Sequence, residues 1–300
     1  MSAMNWDDLK VFLAVARNES LSAAGRALRL DPATVGRRVA RLEEALAARL
    51  FVKTPQGYAL TEAGERLVDH ASGAEQAVIG AREETRATAD MLTGSVRIGA
   101  PDGVANYLLP QICAEISDDN PELEIQIVAL PRVFNLSRRE ADMAITVSPP
   151  ETGRLSVQKL ADYHLNLAAS TDYLARHPPI ESRADLARHR LIGYIPDMIF
   201  DRELDYMAEL GEAARARLES NSFSVQLNWV RQGAGVAMVH AFAMSAMPGL
   251  QKVLPGTVSL KRGFYLIRHA DDRRVGRLNR FAEALVQKFR REVGRLEALS

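Results

Sequence analysis

The sequence predicts an α/β protein that opens with an all-α-rich module of the winged helix-turn-helix kind. Two observations carry this. Residues 20–62 read as two short helices joined by a tight turn, then a hairpin, then the start of a long helix. Beyond residue 94, short apolar strands alternate with amphipathic helices, the pattern of a mostly parallel sheet.

Ser20 is placed to cap the helix that starts at Leu21, because its hydroxyl can accept from a first-turn amide. Ala23, Ala24, Ala27 and Leu28 give that helix a small apolar face. Asp31 can cap the next helix, and Pro32 sits at its first position, where a missing N–H costs nothing. Val35, Val39, Leu42 and Leu46 then recur at helical spacing and predict one buried stripe. Left outward are Ala33, Thr34, Gly36, Arg37, Arg38 and Arg41. Arginine can fork onto guanine O6 and N7 or clamp a phosphate, so this face suits the major groove of double-stranded DNA. Gly36 is expected to let the helix approach the bases closely, and Ser20 and Ser22 complete the expected DNA-facing set. An ordinary solvated face beside Glu43 and Glu44 is the competing reading of the arginines; the cap, the proline and the stripe together favour DNA.

The hairpin predicts a wing. Phe51-Val52 and Tyr58-Ala59-Leu60 are its arms and Pro55-Gln56-Gly57 its turn, with Lys53 and Gln56 as donors for the DNA backbone. Thr61 opens a proline-free helix expected to run to about Leu92, on the order of 45 Å long. Its stripe is rich in alanine, and Gly64, Gly73 and Gly80 weaken it in isolation, so it is expected to need a partner helix. Thr93-Gly94 marks a boundary. Strands are then expected at residues 96–99, 123–130, 144–147, 165–169, 191–194, 236–239 and 264–267, with a helix before Asn120-Pro121 and a last amphipathic helix from Val275 to Leu299.

Composition fits an ordinary globular protein, with 47% hydrophobic and 25% charged residues and no net charge, so any DNA-binding patch must be local. Arg26, Arg29, Arg37, Arg38, Arg41, Arg49 and Lys53 supply one. No apolar run has the length of a membrane span, and the N-terminus shows no secretory pattern. The single cysteine, Cys113, excludes an intrachain disulfide and suits the cytoplasm.

The N-terminal motifs resemble those of LysR-type transcriptional regulators. Leu9, Phe12 and Leu13 match the first helix of that family; Ser20, Ala23, Ala24 and Leu28 match the second. Leu42-Glu43-Glu44, Leu50-Phe51 and Leu60-Thr61-Glu62-Ala63-Gly64 match closely. The usual serine, glutamine, glycine and arginine are here Gly36, Arg38, Ala47 and Lys53, so family operator preferences do not carry over. More loosely, Leu108-Leu109-Pro110, the 139–145 stretch and Gln232-Gly233-Ala234-Gly235 follow in family order, although Arg139 and Glu140 depart from the pattern. The resemblance implies a DNA-binding domain at residues 1–60 and a linker and dimerisation helix at 61–93. It implies a periplasmic-binding-protein-like, two-subdomain effector domain at 94–300. Subdomain I would hold 94–164 and 265–300, and subdomain II 165–264. It further implies a homodimer or homotetramer.

In such a fold a small molecule sits between the subdomains, against strand ends and helix N-termini. The expected rim is Pro101, Asp102, Gly103, Val104, Leu130, Pro131, Arg132, Thr146, Val147, Tyr194, Ile195, Pro196, Ser222 and Phe223. Asp102 disfavours a small carboxylate unless a base such as Arg132 neutralises it, which points to a neutral or cationic effector, or to none; Asp102 could also be a plain helix cap. No catalytic constellation, cofactor motif or metal pattern is legible. The six histidines form no paired motif, there is no G-x-S-x-G and no phosphate loop, and Cys113 sits on an apolar helix face. Three readings stand: an effector-responsive DNA-binding regulator, a ligand-independent DNA-binding repressor whose C-terminal half only oligomerises, and a ligand-binding or enzymatic domain with a helical appendage. The first fits the motifs best.

Overall fold

The computed structural model describes residues 4–55, 57–86, 92–129, 141–150, 155–211, 214–270, 272 and 275–300. They fall into two compact units. The first holds the described residues of 4–86 and of 269–279; the second holds the described residues of 92–268 and 280–300.

Three helices build the first unit: α1 (Trp6–Asn18), α2 (Leu21–Leu28) and α3 (Pro32–Leu46). Each begins at the cap its sequence offers. Asn5 accepts from Asp7 N at 2.9 Å, Ser20 from Ala23 N at 3.3 Å and Asp31 from Ala33 N at 2.8 Å. Each ends on a residue in the left-handed region: Glu19 (φ 51), Arg29 (φ 56) and Ala47 (φ 48). Val35, Val39 and Leu42 are buried as their spacing predicts, but Leu46 is 36% exposed, because it lies in the last turn where α3 leaves the core. The core is centred on α1, whose Val11, Phe12, Leu13 and Val15 are essentially fully buried. Each such side chain contributes ~1.5–3 kcal/mol by leaving water.

The hairpin of β1 (Phe51–Thr54) and β2 (Gly57–Leu60) pairs Phe51 with Leu60 and Thr54 with Gly57. The Phe51 ring packs on Phe12 at 5.3 Å and edge-on to Tyr58 at 6.2 Å. Tyr58 N donates to Glu19 O at 2.8 Å, which ties the hairpin to the end of α1. At Gly57 (φ +139) a Cβ would lie 2.2 Å from that same carbonyl oxygen, so no side chain fits. The long helix α4 (Glu62–Arg86) follows; residues 87–91, over which it is expected to continue, lie outside the described residues.

The second unit opens with β3 (Gly94–Ala100), α5 (Asp102–Tyr107), α6 (Leu109–Asp119), β4 (Leu123–Ala129) and β5 (Met143–Thr146). The long strand β6 (Leu155–Ser170) leads to α7 (Thr171–Arg176), β7 (Leu191–Gly193), α8 (Met207–Leu210), β8 (Ala216–Glu219) and α9 (Phe223–Arg231). Then come β9 (Val236–His240), α10 (Ala241–Met244), β10 (Leu250–Lys252), β11 (Ser259–His269) and α11 (Gly276–Glu297). The strands form one mixed sheet in the order β4-β3-β5-β11-β6-β9-β7-β8, with β10 on β6. β3 pairs parallel with β4 and β5, and β7 parallel with β8 and β9. The long central strands pair antiparallel, β11 with β5 from Tyr265 onward and β6 with β9 from Leu165 onward. The sheet thus has a β4-β3-β5-β11 half and a β6-β9-β7-β8 half.

Two details differ from the sequence expectation. The stretch after β3, given no helix by the sequence pattern, is already helical from Asp102. Strands β8 and β10 and the N-terminal part of β6 carry no apolar run: β8 alternates half-buried with exposed positions, and residues 157–159 of β6 are exposed.

Candidate nucleic-acid interface and ligand cleft

On α3, Ala33 and Arg37 are exposed, and Thr34 and Arg38 are half-buried. Arg37 Nη2 donates to Thr34 Oγ1 at 3.0 Å, one turn back, which pre-orders the guanidinium on that face. Two expected positions behave differently. A Cβ on Gly36 would meet Leu21 Cδ1 at 3.5 Å, an ordinary packing distance, so Gly36 faces α2 and does not open the helix towards bases. Arg41 is engaged within the unit: its Nε and Nη2 donate to Asp8 at 2.6 and 2.5 Å, and the Asp8 side chain is only 2% exposed. The hydrogen bond and charge of Asp8 hold the Arg41 pKa above its ordinary value. Arg41 therefore sets α3 against α1. Ser20 is half-buried and committed to capping, Ser22 and Lys53 are exposed, and Gln56 lies outside the described residues.

Glu43 anchors the entry to the hairpin. Its side chain is buried, accepts from Leu50 N at 2.7 Å and Phe51 N at 3.4 Å, and takes Arg49 Nη1 at 2.8 Å. Across the hairpin, Thr61 Oγ1 donates to Arg49 O at 2.6 Å and accepts from Gly64 N at 3.0 Å. A Cβ on Gly64 would sit 2.2 Å from Leu50 O, so glycine alone permits α4 to run this close to the strand.

In the second unit the expected rim residues separate into three groups. Gly103, Val104, Val147 and Phe223 are buried in the interior, where Phe223 packs edge-on to His240 at 4.2 Å and to Tyr107 at 5.8 Å. These four cannot line an open cleft in this conformation. Pro101, Asp102, Thr146 and Ser222 are half-buried at the junction of the two sheet halves. Here Asp102 Oδ2 accepts from Ser222 Oγ at 2.9 Å and Ser224 N at 2.7 Å, while Oδ1 takes Asn106 Nδ2 at 2.9 Å. Ser222 is itself the N-cap of α9. The Asp102 carboxylate thus occupies the anion-favouring end of α9, supplied from the other half of the sheet. A second carboxylate works in the opposite direction: Ser148, after β5, donates to Asp201, the cap of the turn at Arg202–Leu204. Thr146 Oγ1 donates to Ser148 O at 2.6 Å, so it belongs to this second clasp. Tyr194, Ile195 and Pro196 form the third group, and Tyr194 and Pro196 line a cavity of about 490 Å³. Leu130, Pro131 and Arg132 lie outside the described residues.

Nearby, His240 is enclosed by Gly103, Phe223, Tyr163 and Phe242, and its Nδ1 has no hydrogen-bond partner among the described residues. Burial pushes its pKa down to about 3. Cys113 is buried on α6, and burial raises its thiol to about 12. Among the described residues no group of three or more His, Cys, Asp or Glu could hold a metal ion, and no helix is long and apolar enough to cross a membrane.

Residues 6–65 match the family model for the bacterial regulatory helix-turn-helix protein of the lysR family, and residues 89–290 match that for the LysR substrate binding domain. The chain belongs to the LysR family of transcriptional regulators. Like other members it pairs a helix-turn-helix DNA-binding domain with an effector-binding domain. It is 27% identical over 304 residues to the HTH-type transcriptional regulator PtxR of Pseudomonas aeruginosa, covering 99% of this chain and 96% of that protein. Its fold is similar to a full-length OxyR variant from Pseudomonas aeruginosa (TM-score 0.72, 20% identity, 96% of this chain and 98% of that one). It is also similar to CrgA, a LysR-type regulator from Neisseria meningitidis (TM-score 0.60, 23% identity, 96% and 99%).

The geometry gives LysR-family motifs physical meaning in this chain. In Leu42-Glu43-Glu44 the first glutamate caps the backbone entering the hairpin, and in Leu60-Thr61-Glu62-Ala63-Gly64 the threonine and glycine bring α4 against Leu50. Sequence reasoning missed Asp8 and Glu43 as working residues. A signal existed for both: each is an acid on an apolar helix face, Asp8 four residues before Phe12 and Glu43 four after Val39. A buried carboxylate demands donors, and those donors are what fix the module.

Proposed function

We propose that this LysR-family regulator reads operator bases through the exposed face of α3. Ala33, Thr34, Arg37 and Arg38 enter the major groove, Ser22 and Lys53 contact phosphates with Gln56 on the wing, and Ser20 and Arg41 hold the frame. The supporting observation is the Arg37–Thr34 contact on an exposed helix face whose next turn is held against α1 by the Asp8–Arg41 pair. Two copies pair through α4, where Val78 and Ala81 are exposed, and present two recognition helices to two half-sites. The second unit binds a small molecule that shifts operator affinity, and the protein works in the cytoplasm.

The test is selection and sequencing of random duplexes bound by the wild type, Arg37→Ala and Arg38→Ala at two salt concentrations. Enrichment of a two-fold-symmetric site, with each substitution weakening binding by about 1–3 kcal/mol and relaxing one position, supports this reading. Salt-sensitive binding without an enriched sequence rules it out.

A further inference from the structure

Two observations in the second unit point to one ligand site. The first is that the anion seat at the start of α9 is already filled: Asp102 bonds Ser222 Oγ and Ser224 N there. A ligand carboxylate arriving at that helix end would find those two donors taken and would meet the Asp102 charge. The second is the cavity of about 490 Å³ inside the β6-β9-β7-β8 half, beneath the segment that carries α8. That volume falls in the roughly 300–1,000 Å³ range of small-molecule sites.

Its interior is apolar and aromatic. Ile192, Leu204, Met207 and Met238 line it with the rings of Tyr194 and Tyr206, which stand 5.9 Å apart and edge-on. The charged lining residues are Arg202, Arg215, Asp205 and Glu219, two of each sign, and all four are exposed. The cavity therefore presents no net charge to an occupant. Two buried hydrogen-bonding side chains belong to the lining, Tyr206 and Gln226. The Tyr206 hydroxyl has no hydrogen-bond partner among the described residues and can meet a polar occupant, and so can Gln226. The Gln226 Nε2 donates to Ser220 O at 2.8 Å, and a primary amide carries a second N–H and an acceptor oxygen besides.

We propose that this cavity, and not the carboxylate-filled end of α9, is the effector site, and that it takes an uncharged ring compound bearing one hydroxyl or carbonyl group. The apolar walls bury the ring, Gln226 and the Tyr206 hydroxyl meet the polar substituent, and Asp102 excludes acids from the neighbouring junction. The proposal rests on the reading of the second unit as the ligand-binding half.

The probe is prodan, an uncharged naphthyl ketone whose emission moves to the blue on leaving water, titrated into the full-length protein without DNA. The wild type is expected to give a saturable blue shift that 2-acetonaphthone reverses and 2-naphthoate does not. Ala216→Phe, which adds a ring at the cavity lining, is expected to weaken binding about tenfold or more, and Gln226→Leu combined with Tyr206→Phe to remove the preference for the ketone over naphthalene. A cooperative melt of each variant shows that it is folded. An unshifted wild-type emission, displacement by 2-naphthoate as readily as by the ketone, or full binding by folded Ala216→Phe would overturn the proposal. The readout uses no DNA, so its failure leaves the operator reading standing, and failure of the operator selection leaves this one standing.

Discussion

Ala47 shows how a single backbone angle stores strain in this fold. It ends α3 at φ 48, and its N–H closes the helix on Glu43 and Glu44 carbonyls. A left-handed residue with a Cβ is disfavoured by roughly 1–2 kcal/mol, whereas glycine is not, although glycine also loses more entropy on folding. The balance predicts that Ala47→Gly stabilises the N-terminal module by about 0.5–1 kcal/mol, read as a rise in its urea midpoint at unchanged slope. An unchanged or lower midpoint would mean that the turn at Ala47 is already relaxed. At this scale the sequence was legible where a residue type has one dominant use. Ser20, Asp31 and Pro32 stand where caps and a first-turn proline belong. It was not legible where a charged side chain is tied to a buried partner: Arg41 shares its exposed-face spacing with Arg37 and Arg38 and stays half exposed, and only the position of Asp8 on another helix commits its guanidinium to an ion pair.

Elements were legible in proportion to how evenly their apolar residues are spaced. The stripes of α3 and α11 and the apolar runs of β3, β9 and the end of β6 stand out, because burial on one face or on both imposes a period. β8 and β10 did not, since short strands with one exposed face need no such run. The junction of β9, α5 and α9 has a consequence for pH. His240 ends β9 in an enclosure of aromatic rings, and burial alone lowers its pKa from 6.5 to about 3. The folded state therefore keeps it neutral, while the unfolded chain takes up a proton below about pH 6.5. Its stabilising effect is complete above that pH and is lost as pH falls towards 3. Between pH 7.5 and 5.5 the effector domain should lose about 1.4 kcal/mol through this group. His240→Leu should flatten that part of the pH dependence in urea melts; an equally steep profile would assign the loss elsewhere.

At the scale of the whole molecule, sequence order revealed a DNA-binding head, a long helix and an alternating α/β half, but not which polar residues would join the two halves of the sheet. Asp102 and Ser222 are 120 positions apart, and Ser148 and Asp201 are 53 apart. Neither pairing has a local signature, and Asp102 read equally well as a ligand neighbour or a cap. The structure makes it a clasp, and the two clasps run in opposite directions, each half of the sheet giving one carboxylate and receiving one. Removing one carboxylate should leave a serine hydroxyl and a first-turn amide of α9 without their acceptor. Asp102→Ala is expected to lower the stability of the second unit by about 1–2 kcal/mol, the usual effect of losing a helix cap. Asp102→Asn, which keeps an acceptor oxygen for Ser224 N but loses the charge, should lose less. Thermal melts of the two variants, followed beside the Ala47→Gly protein, separate the units. If the clasp acts as the geometry implies, the Asp102 variants move only the transition of the effector domain, and Asp102→Ala moves it further than Asp102→Asn. Equal shifts for the two would mean that charge, not the hydrogen bonds to α9, carries the junction.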